Sequence, residues 1–169
     1  MTAVSPIRPE DLREPLSELL VRELRVWHDA FAEEHMRAFD LGCFPWHGYL
    51  ELSFLTTYEP ALADRGDPFS CIAEWKLYNF GVRSAEPIPT ERKHLGRRMQ
   101  LFWESVEAKG PVSERFLTAA AEAVSSDEVQ VELARYRRTS DFVTTVFDPD
   151  RPDPVNLVRI TGAHRGGDD

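Results

Sequence analysis

Cysteine is scarce. Cys43 and Cys71 are the two in 169 residues, too few for the disulfide framework of a small secreted domain. Long apolar runs are missing too: no stretch approaches the roughly 18–20 residues that span a bilayer, so no membrane partner is expected. The first residues lack the basic-then-apolar layout of a signal peptide, and no lipidation signal is visible, so the expectation is a cytoplasmic protein. No Gly-x-Gly-x-x-Gly, phosphate loop or Gly-x-Ser-x-Gly occurs, which leaves nucleotide cofactors and the common serine-hydrolase layout without support. Positive charge is in deficit, with 20 Lys and Arg against 29 Asp and Glu. The resulting net charge of −9 opposes approach to a nucleic-acid backbone and favours basic surfaces instead.

What is present is ordinary for one soluble domain: 42% apolar and 29% charged residues. A chain of this size buries roughly 68–70% of its unfolded surface and needs no staple. Residues 1–11, with Pro6 and Pro9, read as an irregular arm, residues 12–160 as a single domain, and the glycine-rich 161–169 as a disordered tail. Leu16, Leu19, Leu20, Leu24, Trp27 and Phe31 recur at helical spacing and predict a helix over about 15–35. Ala38-Phe39-Asp40-Leu41 is short and β-like, and Leu50, Leu52 and Phe54 alternate with Glu51, Ser53 and Leu55 as in a half-buried strand. A third strand is expected over 71–78, where Cys71, Ala73, Trp75 and Leu77 share one side, before the Pro87-Ile88-Pro89 segment closes the strand region.

Helical spacing returns in Leu95, Met99, Phe102, Trp103 and Val106 behind Thr90 as a candidate N-cap, with Gly110-Pro111 as the stop. Ser113 is the next candidate cap, before the stripe Phe116, Leu117, Ala120 and Val124, and residues 127–138 read as helix in preference to strand. Phe142–Phe147 is rich in β-formers and ends at the Asp148-Pro149-Asp150 turn. Clustered strands without regular alternation with helices predict an α+β fold, a mainly antiparallel sheet of about four strands packed with three to four helices.

The opening helix to about His35, the alternating Phe39 to Tyr58 region around Trp46, and the strand Phe142–Phe147 running into Asp148 and Asp150 carry a resemblance. In these features the chain resembles a family of small bacterial cytoplasmic proteins of unknown function with features of the immunity proteins of toxin systems. The resemblance implies the fold class and a protein partner, and it brings no active residues with it.

Cys43 and His47 have a ligand-like spacing, and His28 and His35 would share a helix face. Without a Cys-x-x-Cys pair or a His-Glu-x-x-His helix, a small buried thiol and a loop histidine account for them, so no metal or other cofactor is expected. A cysteine hydrolase on Cys43 and His47 would need an orienting acid, for which Asp40 and Glu51 are the candidates. The Asp148, Asp150, Asp153 run lacks the central glycine and distal glutamate of a calcium loop and reads as a solvated turn.

The loop Cys43-Phe44-Pro45-Trp46-His47-Gly48-Tyr49 carries large amphipathic rings that loops seldom bury completely. The candidate binding residues are therefore Trp46, His47 and Tyr49, with Trp75 and Trp103, and no catalytic residue is assigned. The leading expectation is a non-catalytic interaction protein that binds a basic protein partner. The rival is a small-molecule-binding protein or enzyme with an aromatic-lined pocket around Trp46, Trp75 and Trp103. In a third reading the exposed aromatics form an interface between copies of the chain in a homo-oligomer.

Overall fold

Leu16, Leu19, Leu20 and Leu24 form the stripe that closes α1 (Arg13–Trp27) onto the main core, all four buried. A computed structural model describes residues 4–82, 90–151 and 155–158. The Pro87-Ile88-Pro89 segment and the tail 161–169 therefore lie outside the described residues. Of the arm before α1, residues 4–8 have no regular structure but dock on the domain: Ile7 is buried and its N–H donates to the Arg98 carbonyl at 3.1 Å, and Pro9–Asp11 then forms a 3-10 turn. α1 is shorter than its spacing predicts. It stops at Trp27, a 3-10 turn Asp29–Phe31 follows, and the chain enters β1 at Met36. Phe31 still stacks on Trp27, 5.5 Å between ring centres, so the four-residue spacing persists across a tighter turn that periodicity cannot distinguish from α-helix.

β1 (Met36–Phe44) and β2 (Tyr49–Thr56) pair antiparallel, and Gly48 closes their turn at φ +68°, a conformation that glycine adopts without penalty. The register sets Phe39 against Phe54, Leu41 against Leu52 and Cys43 against Leu50, and these side chains belong to the main core under the helices. The alternate residues, Ala38, Asp40, Gly42 and Phe44 with Tyr49, Glu51, Ser53 and Leu55, occupy the outer face.

The α+β class stands, while the sheet differs from the expected one. Among the described residues it has three strands in the order β2-β1-β3, and β3 (Arg138–Thr145) runs parallel to β1. Its parallel course follows from the helical connection between β2 and β3, which carries the chain back to the same end of the sheet. The expected strand over 71–78 is instead largely a kinked 3-10 segment, Pro68–Glu74. Pro68 opens it, Asp67 accepts from the Phe69 N–H at 3.0 Å, and Trp75 plugs it, its indole N–H donating to the Pro68 carbonyl at 2.9 Å. Only Leu77 bridges to β2, opposite Phe54. Trp75 buries itself with Ala38 and Leu55, so this segment roofs one end of the outer face and leaves the other end open.

α2 (Thr90–Ser105), α3 (Lys109–Val124) and α4 (Asp127–Ala134) follow between this segment and β3. The 127–138 helix is thus present to Ala134, and Arg138 already belongs to β3. Gly110-Pro111 does not stop α2 but lies in the first turn of α3, where the missing proline N–H removes no helical bond. Ser113 is no cap; its hydroxyl accepts from the Trp103 indole N–H at 3.0 Å. Gly96 lets α2 press on the hairpin turn, since a Cβ there would stand 2.0 Å from the Gly48 carbonyl oxygen.

Candidate functional site

The open end of the outer sheet face forms a cleft of about 490 Å³. Its floor is made by Asp40 and Gly42 of β1 and Glu51 of β2, and the register sets Gly42 opposite Glu51 and Asp40 opposite Ser53. Gly42 matters sterically, because a Cβ there would meet the Phe44 ring at 2.8 Å and the Glu51 Cβ at 3.2 Å. Phe44, Phe69, Tyr78 and Phe147 bring aromatic walls, and Asp148 and Arg151 stand on the far side.

Asp40 is the unusual member: a carboxyl in the central strand, 5% exposed. The Thr145 hydroxyl donates to its Oδ1 at 2.6 Å. Burial pushes its pKa from the usual 3.8 up to about 7; the Thr145 hydrogen bond opposes that rise and the negative charge of Glu51 adds to it. Glu51 in turn accepts from the Tyr78 hydroxyl at 2.9 Å. Arg151 reaches Asp148 at 3.4 Å and Glu114 at 3.9 Å, so its charge is already shared by two carboxylates.

A second cavity, about 390 Å³, adjoins across Glu51 and is lined by Tyr49, Asn79, Arg92 and Lys93 among others. Arg92 is 1% exposed, pairs with buried Glu23 at 2.8 Å and donates to the Asn79 side chain and the Phe80 carbonyl, each at 3.2 Å. These contacts hold α2 to α1 and the 79–80 turn, a structural role for the charge.

The residues singled out from sequence separate. Trp46, His47 and Tyr49 do cluster on the hairpin turn, with the His47 ring 6.2 Å from Trp46 and 6.1 Å from Tyr49. Tyr49 is 57% exposed and lines the second cavity. Trp75 is wholly buried in the outer-face cluster, and Trp103 lies on α2 with Lys109 4.3 Å above its ring. Trp46, Trp75 and Trp103 line neither cavity.

Cys43 lies on the inner sheet face, where burial pushes its thiol pKa up to about 12, while Cys71 sits in the Pro68–Glu74 segment that roofs the outer face. Among the described residues no three His, Cys, Asp or Glu side chains converge as metal ligands. His28 and His35 do not share a helix face, because α1 ends before both. Among the same residues no helix is long and apolar enough to cross a membrane.

From sequence, Asp40 and Glu51 stand only as candidate orienting acids for a histidine, and nothing singles out Tyr78 or Arg151. The signal the sequence offers is Asp40 itself, the one acid of its strand, set between the apolar Phe39 and Leu41. Comparison of the chain with protein-family models, with curated proteins and with solved structures finds no match in any of the three.

Proposed function

We propose that this chain is a non-catalytic interaction protein that binds a basic protein partner by taking one of the partner's Lys or Arg side chains into the outer-face cleft. The observation that carries this reading is the composition of the cleft: Asp40, Glu51 and Asp148 against Arg151, the one cation lining it among the described residues and already shared, with aromatic rings around them. Carboxylates at the floor suit the charged head, and aromatic walls suit both the cation and its apolar stem. The net charge of −9 would steer a basic partner toward the surface before the cleft engages it. The protein partner that the sequence resemblance implies, an immunity-like protein's target among the choices, suits this mode of binding. Asp40 beside Glu51 also favours a second reading, in which the cleft holds a small cationic molecule and Asp40 serves as acid or base.

The test is an NMR titration of the labelled protein with Nα-acetyl-arginine methylamide, with its uncharged norvaline counterpart as control. Saturable shifts gathered at Gly42, Ser70, Ala73 and Phe147, seen with the arginine probe and weakened in Glu51→Gln, are the expected result. Shifts scattered over the acidic surface without saturation, or equal shifts with the uncharged control, would overturn it.

A further inference from the structure

Resting on the cleft reading above, we propose that a cationic group enters this cleft in exchange for the proton on Asp40, so that capture of the cation releases a proton to solvent. The geometry places the carboxyl where such an exchange can occur. Oδ1 is engaged by the Thr145 hydroxyl at 2.6 Å. Oδ2 has no hydrogen-bond partner among the described residues and yet is not sealed off, because the one wholly buried, unpartnered side-chain nitrogen or oxygen among them is Arg92 Nε. Asp40 also lines the cleft, and with Oδ1 engaged by Thr145 its second oxygen is the one left to pair with an occupant.

Burial, with the negative charge of Glu51 added to it, favours a proton on Asp40 in the empty cleft below about pH 7. From β2 comes Glu51, negative, which accepts from the Tyr78 hydroxyl; from β3 comes the neutral hydroxyl of Thr145. Beyond β3, Asp148 and Arg151 offset one another at 3.4 Å, and across Glu51 the second cavity carries Lys93 and Arg92, the latter committed to Glu23. No Lys, Arg or His among the described residues forms an ion pair with Asp40. Burial and Glu51 together raise Asp40 to about 7, because a nearly buried carboxyl without a counter-ion favours its protonated form. A guanidinium or ammonium within hydrogen-bond reach of Oδ2 supplies that counter-ion. The carboxylic acid then gives up its proton, the cation pairs with the carboxylate, and the buffer takes the proton, so charge balances and no buried charge stands alone.

The experiment is calorimetry of the full chain with Nα-acetyl-arginine methylamide, whose guanidinium stays charged throughout, at pH 6, 7 and 8 in buffers of different ionisation enthalpy. With a midpoint near 7, affinity should be about tenfold weaker at pH 6 than at pH 8, and about half a proton should be released per probe bound at pH 7. The near-isosteric Asp40→Asn should flatten the pH dependence and abolish the release. The carboxyl carbon-13 signal of Asp40, followed by NMR, should titrate at lower pH when probe is present. Binding without pH dependence or proton release, or proton release that persists in Asp40→Asn, overturns the exchange and leaves the cleft reading standing. Absence of any binding at all three pH values overturns both.

Discussion

Replacing Asp40 by Asn removes an ionisable group whose environment opposes ionisation, and the consequence for folding has a definite sign. The Asp40 pKa rises from 3.8 to about 7 on folding, about three pH units at about 1.4 kcal/mol each, or at most about 4 kcal/mol. Because the folded value is the raised one, the native state holds a proton that the unfolded chain has lost between about pH 4 and 7. The associated stability is therefore fully present below about pH 4 and is lost as pH rises through about 7. Wild-type stability should fall by about 1.4 kcal/mol per pH unit across this window relative to Asp40→Asn, then run parallel to it above. Asn keeps a side-chain oxygen to accept from Thr145, so the comparison isolates the charge. Urea unfolding of both proteins from pH 4.5 to 9, read by tryptophan fluorescence, measures the difference directly. A difference that stays constant with pH would show that Asp40 titrates as an exposed carboxyl, and the reasoning about the cleft floor would fail.

Three further outcomes follow from contacts already described. Thr145→Val removes the donor that holds the Asp40 pKa down, so the Asp40 carboxyl signal should titrate above its wild-type midpoint; an unchanged midpoint would remove Thr145 from the account. Gly96→Ala places a methyl 2.0 Å from the Gly48 carbonyl oxygen and should destabilise by about 1–3 kcal/mol, whereas Gly110→Ala, with nothing within 4 Å, serves as the neutral control in the same thermal melts. Arg92→Leu leaves Glu23 buried without its partner and should cost about 3–5 kcal/mol in urea unfolding, with a loss below about 1 kcal/mol contradicting the structural role given to that pair.

The parts of the fold visible from sequence are those that a single element's own period encodes. The leucine stripe of α1, the alternation of β2 and the Phe116 to Val124 stripe of α3 each declare a buried face without reference to anything distant. The parallel course of β3 is not of this kind, since strand period is the same in either orientation. Residues 71–78 alternate as a strand would, but Pro68, the Asp67 side chain and the Trp75 plug together hold most of that stretch in a 3-10 segment. The cleft is hidden for a related reason: Asp40 and Glu51 meet only through the β1–β2 register, and Asp148 joins them only because β3 delivers it to the same face. Sequence does not tell packing rings from lining ones: Trp75 and Trp103 pack in clusters, while the cleft walls use Phe44, Phe69, Tyr78 and Phe147.

The proposed recognition of a cation belongs to this cleft and not to acidic surface in general. Calorimetry of a short oligo-arginine peptide against the wild-type protein, Glu51→Gln in the cleft and Glu18→Gln on the exposed side of α1 separates the two, because both variants lose the same single charge. The expected loss is at least about tenfold for Glu51→Gln and less than about twofold for Glu18→Gln. Equal losses for the two variants would mean that net charge alone attracts the peptide, and would contradict the claim.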